Sequence, residues 1–115
     1  MTKQEKILRA RIDAIKGEIA MLGEMRPGTL TEQYNVCGQE NCRCKDKKNP
    51  QRHGPYYQLS YTRKGRSTSE FVKADAVAGV RGQLADYKRF MELKDEWVGI
   101  SIALAKLRRA AKRKT

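Results

Sequence analysis

Three cysteines and the single histidine stand close together in the chain, and this cluster constrains the fold more than any other feature. All the cysteine and histidine of the 115 residues lie in the pattern Cys37-x4-Cys42-x-Cys44-x8-His53. Three thiolates and one imidazole are a ligand set typical of a tetrahedral structural zinc site. The sequence therefore predicts one zinc knuckle, with Gly38 and Gly54 letting the backbone turn beside the outer ligands. The alternative is three unliganded thiols and a surface histidine.

The same residues argue against a disulfide framework and against a catalytic zinc site. A disulfide framework is not expected, because the number of cysteines is odd and the N-terminus is too charged for a signal peptide. A catalytic zinc keeps one position open, whereas four candidate ligands would fill four positions here. We therefore expect no enzyme, although a cysteine nucleophile paired with His53 remains an alternative.

Positive charge is concentrated in two segments of the chain. The net charge is +12, residues 43–66 hold eight basic residues against Asp46 alone, and residues 106–115 hold six basic residues and no acidic one. Concentrated positive charge favours a polyanionic partner, most often nucleic acid. The alternative is a solvated loop and a disordered tail. No apolar run is long enough to span a membrane, and we expect a cytoplasmic protein.

The candidate nucleic-acid contacts are basic side chains, with one tyrosine beside the histidine. They are Arg43, Lys45, Lys47, Lys48, Arg52, Tyr56, Arg63, Lys64, Arg66, Lys106, Arg108, Arg109, Lys112 and Arg113. Basic groups with nearby aromatic rings suit phosphate contacts combined with stacking. A basic two-stranded ribbon fits the DNA major groove, so we expect duplex DNA in preference to RNA.

Hydrophobic periodicity predicts a helix over residues 3–25. Its apolar residues recur at spacings of three and four, at Leu8, Ile12, Ile15, Ile19 and Leu22. Pro27 and Gly28 are expected to end it.

Three short segments read as strands. Residues 29–36 alternate with Leu30, Tyr34 and Val36 on one face. Residues 55–62 and 67–72 form a predicted hairpin whose turn is Arg63-Lys64-Gly65-Arg66, with Gly65 supplying the positive φ. Tyr57, Leu59 and Tyr61 would share one face, and Phe71 and Val72 would close the last strand.

Residues 74–112 read as one long helix or two in series. A first apolar seam, which would cover the sheet, runs through Val77, Val80, Leu84, Tyr87 and Met91. A second seam, displaced by one residue, runs through Phe90, Leu93, Trp97, Ile100, Leu104 and Leu107. The second seam would meet helix 3–25 or another protomer. Gly79, Gly82 and Gly99 would mark close packing or a break.

These elements predict an α+β fold: a small three-stranded antiparallel sheet with a zinc knuckle, flanked by an N-terminal helix and a long C-terminal helix. The expected divisions are residues 1–27, 28–73 and 74–115. The second seam is longer than the cover that one chain is expected to offer, so we expect a homodimer or a partner protein, coiled-coil-like, through helices 3–25 and 90–112. The alternative is a helix that breaks near Gly99 and folds back.

Two stretches carry a resemblance to known proteins. The runs GTLTEQYNVCGQENCRC and RHGPYYQLSYTRKGRSTSEFV resemble a widespread family of short, uncharacterised prokaryotic proteins that are frequent near mobile-element genes. The resemblance spans about residues 26–95 and implies a metal-knuckle domain with no established activity. In layout alone, residues 55–95 are similar to the small DNA-binding modules of tyrosine recombinases, whose catalytic residues have no counterpart here.

We therefore interpret the chain as a zinc-stabilised nucleic-acid-binding accessory or regulatory protein, linked to a mobile element. The alternative interpretation is a helical protein–protein adaptor in a larger assembly, whose basic segments only keep it in solution. Binding that weakens steeply with salt would favour the first, and salt-insensitive binding of a partner protein would favour the second.

Overall fold

The chain contains two helices and a small sheet, and in chain order the helices come before and after the three strands. The computed structural model describes residues 1–35, 37, 39, 41–48 and 51–113. Its elements, in chain order, are α1 (Lys3–Ala20), β1 (Thr29–Asn35), a 3-10 turn (Arg43–Lys45), β2 (His53–Arg63), β3 (Arg66–Val72), a second 3-10 turn (Ala74–Ala76) and α2 (Val77–Arg113). The strands form one antiparallel sheet in the order β1-β2-β3. The predicted α+β fold is confirmed; Val36, Gly38 and Lys114 lie outside the described residues.

The chain divides into two compact units, which we describe separately. The helical unit comprises Met1–Met25 and Ala85–Thr115, and the sheet unit comprises Arg26–Leu84. The helix α2 therefore contributes its first two turns to the sheet unit and the remainder to the helical unit.

In the helical unit, α1 packs antiparallel to the second part of α2. Three ion pairs fix this arrangement, and they join Glu5 to Arg108, Arg11 to Glu96 and Glu18 to Arg89. The buried side chains between the two helices are those of Ile12, Ile15, Leu93 and Leu104. The apolar seam of α1 thus faces the second seam of α2, because a period of 3.6 residues places each set on one side of its helix.

This packing corrects the expectation that the second seam lacks a cover in its own chain. Leu104 is only 3% exposed, and the pair between Glu5 and Arg108 places the start of α1 beside it. The fold-back alternative is also wrong, since α2 is a continuous helix through Gly99. The seam is covered because α1 runs along residues 89–108 of α2.

The predicted end of the first helix is wrong by five residues. Thr2 caps the start of α1 by accepting a hydrogen bond from the Glu5 amide, as expected of a threonine at this position. The helix ends at Ala20, well before Pro27. The amide of Gly23 donates to Asp86 Oδ2 at 2.9 Å, which is a tertiary contact that draws the chain out of the helical path.

The three glycines of α2 mark neither close packing nor a break. A Cβ built at Gly79, Gly82 or Gly99 meets no atom within 4 Å among the described residues. Since the helix is regular there and the space is open, these glycines carry the usual entropic cost without a packing benefit.

Replacing Gly99 with alanine is therefore expected to raise the free energy of unfolding by about 0.5–1 kcal/mol. Denaturant titration of the two proteins measures it. Gly28→Ala is the opposite case, because φ is +125° there and the new Cβ would lie 2.6 Å from the Ser60 carbonyl oxygen. It should destabilise the fold. A loss of stability in Gly99→Ala would contradict an open helix face at this position.

In the sheet unit, the register confirms the predicted hairpin. Arg63 pairs with Arg66 at its tip, and both turn residues have positive φ, 52° at Lys64 and 79° at Gly65. Such a two-residue turn matches the twist of the strands. The positive φ of Gly65 is as predicted, whereas that of Lys64 has no signal in the sequence.

One face of the sheet carries the core of this unit. Leu59 is fully buried, and Tyr57 and Tyr61 lie half-buried on the same face. Arg26 pairs with Glu70 on this face and donates its amide to the Gln83 carbonyl of α2. The first turns of α2, with Val80 buried, therefore lie on the side of the sheet that carries Leu59.

The predicted end of the last strand is confirmed, since β3 ends at Val72, and its last two residues lie on opposite faces of the sheet. Val72 faces Tyr57 and is half-buried, but Phe71 faces Gln58 on the opposite side of the sheet and is 77% exposed. Neighbouring residues of a strand point to opposite faces, so of these two only Val72 faces the core of the sheet unit.

Candidate metal centre

The four candidate ligands converge at one end of the sheet. Cys37 follows β1, and His53 begins β2, where it pairs with Asn35 across the sheet. Cys42 immediately precedes the 3-10 turn and Cys44 lies within it. The carbonyl of Arg43, the first residue of the turn, also accepts the amide of Gln51 at 2.9 Å. Because the backbone turns here rather than extending, the Cys-x-Cys pair can direct both thiols to one point.

Gly54 positions the histidine. Its φ is +135°, and a Cβ there would lie 2.8 Å from the carbonyl oxygen of Gln33. Only glycine fits such a conformation at so close an approach. The predicted need for a glycine beside His53 is therefore confirmed, although Gly54 lies within strand β2 and not in a turn.

The distances suit a single ion. The four ligand atoms all lie within 4.8 Å of one another. Cys42 Sγ lies 3.0 Å from His53 Nε2, and Cys37 Sγ lies 3.5 Å from Cys44 Sγ. A tetrahedron with Zn–S bonds of about 2.3 Å has S–S edges of about 3.8 Å. The cluster therefore has the composition and size of a four-ligand metal site, while the sulfur separation is too long for a disulfide.

Burial and hydrogen bonding make the thiols unequal. Donation from the backbone of Cys44, together with contacts to the neighbouring thiols and His53, lowers the pKa of Cys42 to about 6. Burial raises the pKa of Cys44, the one fully buried cysteine. A thiolate is the metal-binding form of cysteine, so Cys42 is prepared for ligation near neutral pH. A buried thiol such as Cys44 favours its neutral form until a cation balances the charge.

In the sheet unit, the basic candidates for nucleic-acid contact lie in two separate groups. Arg43, Lys45, Lys47, Lys48 and Arg52 lie around the metal cluster, and Arg63, Lys64 and Arg66 form the hairpin tip. Strand β2 joins His53 to Arg63, a span of about 33 Å at 3.3 Å per residue. The structure thus has basic groups at both ends of one sheet rather than in one patch.

These eight side chains are exposed, and no ion pair engages any of them in the described part of the chain. The other five basic candidates, Lys106, Arg108, Arg109, Lys112 and Arg113, lie on the last turns of α2 in the helical unit. Arg108 pairs there with Glu5 at 3.8 Å.

The predicted tyrosine is accessible. Tyr56 is 42% exposed and lies on the sheet face opposite Leu59. Sequence reasoning missed Phe71 on that same face, although strict alternation from Val72 would have placed it there.

The fold and the cluster define a small α+β protein with a Cys3His site of metal-binding type. Residues 5–82 match the domain of unknown function DUF6788, so the chain belongs to that family. The match extends from α1 through all four candidate ligands into the first turns of α2. No curated protein matches the chain, and no solved structure does. None of the described helices combines the length and apolarity of a membrane span.

Proposed function

We propose that the chain is a small zinc-stabilised nucleic-acid-binding protein that acts as an accessory or regulatory factor. The zinc would be held by Cys37, Cys42, Cys44 and His53, and it would join the end of β1, the turn and the start of β2. Its role would be structural rather than catalytic, since four protein ligands complete a tetrahedron. A structural zinc contributes about 10 kcal/mol or more to the folding of a small module.

The observation that carries the binding function is the basic hairpin tip. Arg63, Lys64 and Arg66 project at the end of a two-stranded ribbon with no acidic partner in the described part of the chain. The sheet unit as a whole has eleven basic and five acidic residues, a net charge of +6. Unpaired cations on a projecting turn suit phosphate contacts. DNA remains the preferred partner, and the link to a mobile element rests on the resemblance of the sequence motifs.

Salt-dependent binding tests this function. With about six phosphate contacts, the slope of log K against log salt concentration should be near −5 on duplex and near −4 on single strands. Replacing Arg63, Lys64 and Arg66 by glutamine should weaken binding and flatten the slope by about 2–3 units. Fluorescence anisotropy with a labelled oligonucleotide measures both quantities.

The matched control removes the same charge elsewhere. Lys3, Lys6 and Arg9 are exposed basic residues of α1, and their triple replacement by glutamine also lowers the net charge by three. This variant should keep most of the affinity and the slope. Equal affinity of the hairpin-tip variant and the unchanged protein would refute the assignment of the tip.

A second candidate function, the protein–protein adaptor, is favoured by the outer face of α2. A groove of about 390 Å³ there is lined by Lys94, Trp97, Val98, Ser101, Ile102 and Ala105. Val98 and Ile102 are each 52% exposed. A helix of a second copy or of a partner protein would bury these side chains. Binding of a second copy or of a partner protein, measured over the same salt concentrations, separates the two candidates, because apolar association in this groove would not weaken with salt.

A further inference from the structure

One face of the sheet is exposed and carries no charge. The register places ten side chains on it: Thr29, Thr31, Gln33, Tyr56, Gln58, Ser60, Thr62, Ser67, Ser69 and Phe71. We call these ten residues the uncharged face. All of them except the half-buried Gln58 are exposed. The charged strand residues Glu32, Arg63, Arg66 and Glu70 are in register with the opposite side, which carries Leu59.

Two aromatic rings lie together at one end of this face. Tyr56 is 42% exposed and Phe71 is 77% exposed. Phe71 faces Gln58, and Tyr56 is two residues before Gln58, so the rings are diagonal neighbours about 7–8 Å apart at their Cα atoms. A phenylalanine ring has no polar atom, and it gains by being covered by another flat apolar surface. A nucleic-acid base offers such a surface by stacking.

The remaining side chains offer hydrogen bonds at fixed positions. Gln33 Nε2 donates to Gln58 Oε1 at 3.1 Å across the sheet. The hydroxyl pairs Ser60–Ser69 and Thr62–Ser67 lie at 3.1 and 3.0 Å. Each amide keeps further donors or acceptors, and each hydroxyl keeps a lone pair. These groups match the edges of unpaired bases, which present donors and acceptors on all sides.

The position of the charges favours single strands over duplex. Cations lie near both ends of the face, about 33 Å apart along β2. At one end is the group around the metal cluster; at the other is Lys64 in the hairpin turn, with Arg63 and Arg66 beside it on the opposite side of the sheet. A single strand laid along the sheet would bring its phosphates to the two basic ends and its bases to the uncharged centre. Duplex shields its bases within the stack, so it could not stack on these exposed rings.

We propose that the uncharged face binds the unpaired bases of a single-stranded nucleic acid, with bases stacked on Tyr56 and Phe71. The proposal rests on the proposed nucleic-acid function and names its substrate class. A second copy of the chain is a less suitable occupant, because eight of the ten side chains are polar groups without an apolar centre.

The test compares labelled 12-nucleotide strands, as deoxythymidine and uridine oligomers, with a 12-base-pair duplex. The single strands should bind more tightly than the duplex. Phe71→Ala and Tyr56→Ala should each weaken single-strand binding about tenfold, as removal of a stacking ring does. Their salt slopes should stay unchanged, because no phosphate contact is lost. If the two variants lose affinity for the deoxythymidine oligomer alone, for the uridine oligomer alone or for both, the result supports the proposal and identifies the natural strand.

Tyr34→Ala is the matched control, since Tyr34 is 50% exposed and hydrogen-bonds Glu32 rather than lying on the uncharged face. It should bind as the unchanged protein does. If the ring variants bind normally while the hairpin-tip variant does not, the uncharged face is not the site and the proposed function stands. Preference for duplex overturns the proposal in the same way. If the ring variants change the sedimentation coefficient instead, a second copy occupies the face. If no nucleic acid binds, both proposals fail.

Discussion

Removing the proposed zinc from the native protein is expected to unfold the sheet. Without an ion, the thiols of Cys37, Cys42 and Cys44 and the imidazole of His53 have no common partner, and the loop between β1 and β2 loses its closure. The loss of about 10 kcal/mol or more exceeds the stability of a typical small domain. A strong chelator added to the ¹⁵N-labelled protein should therefore abolish the dispersed amide resonances of residues 29–35 and 53–72, and added zinc should restore them.

A single serine substitution should give the same result. Cys44 is the buried ligand, at 2% exposure, so Cys44→Ser removes a ligand that no water can easily replace. The neighbouring Asn41→Ser is the matched control, because Asn41 is exposed in the same loop and contributes no ligand. It should leave metal content and spectrum unchanged. A dispersed sheet spectrum from Cys44→Ser without metal would contradict a structural role for the ion.

Leu93→Ala is expected to destabilise the helical unit by about 2–5 kcal/mol, the usual cost of truncating a buried leucine. Leu93 is fully buried, in the unit where α1 packs along α2. Truncation would leave a cavity, because the side-chain ion pairs of Arg11 with Glu96 and of Glu18 with Arg89 hold the two helices in place and limit its collapse. Denaturant unfolding followed by the helical circular-dichroism signal measures the change.

Val98→Ala is the control on the same helix. Val98 is 52% exposed and lines the outer groove, so its truncation should cost little and alanine is the better helix former. If Val98→Ala lowers the free energy of unfolding as much as Leu93→Ala does, the groove is occupied in solution. A loss below about 1 kcal/mol at Leu93 would contradict the packing of the two helices.

The helices and the metal cluster could be predicted because their signals are local and chemical. Ile12 and Ile15 recur with the helical period, and Leu93 and Leu104 do so on α2, so each buried side follows from spacing alone. The cluster follows from ligand type, since cysteine and histidine occur nowhere else in the chain.

The end of α1 was predicted five residues too late, and just beyond it the chain is held by a residue far along the sequence. The hydrogen bond between the Gly23 amide and Asp86 joins positions 63 residues apart. Pro27 and Gly28 are strong local signals, but the helix ends at Ala20, before both of them. The cover of the second seam was left open between helix 3–25 and another protomer for a similar reason: spacing shows that a seam exists but not which partner lies against it.

The uncharged face shows a limit of strand patterns. Alternation separates Phe71 from Val72, but it does not say which of two faces the first turns of α2 cover. That choice depends on Leu59, Val80 and the bridge from Arg26 to Glu70, which only the folded chain brings together. The exposure of Phe71 therefore could not be read from the strand pattern alone.

The most direct test of a zinc-stabilised fold is the metal content and coordination of the natively purified protein. Native mass spectrometry should find one zinc per chain, and X-ray absorption should find three sulfur atoms at about 2.3 Å and one nitrogen atom at about 2.0–2.1 Å. Folded protein without stoichiometric metal, with thiols that react freely with a disulfide reagent, would contradict it.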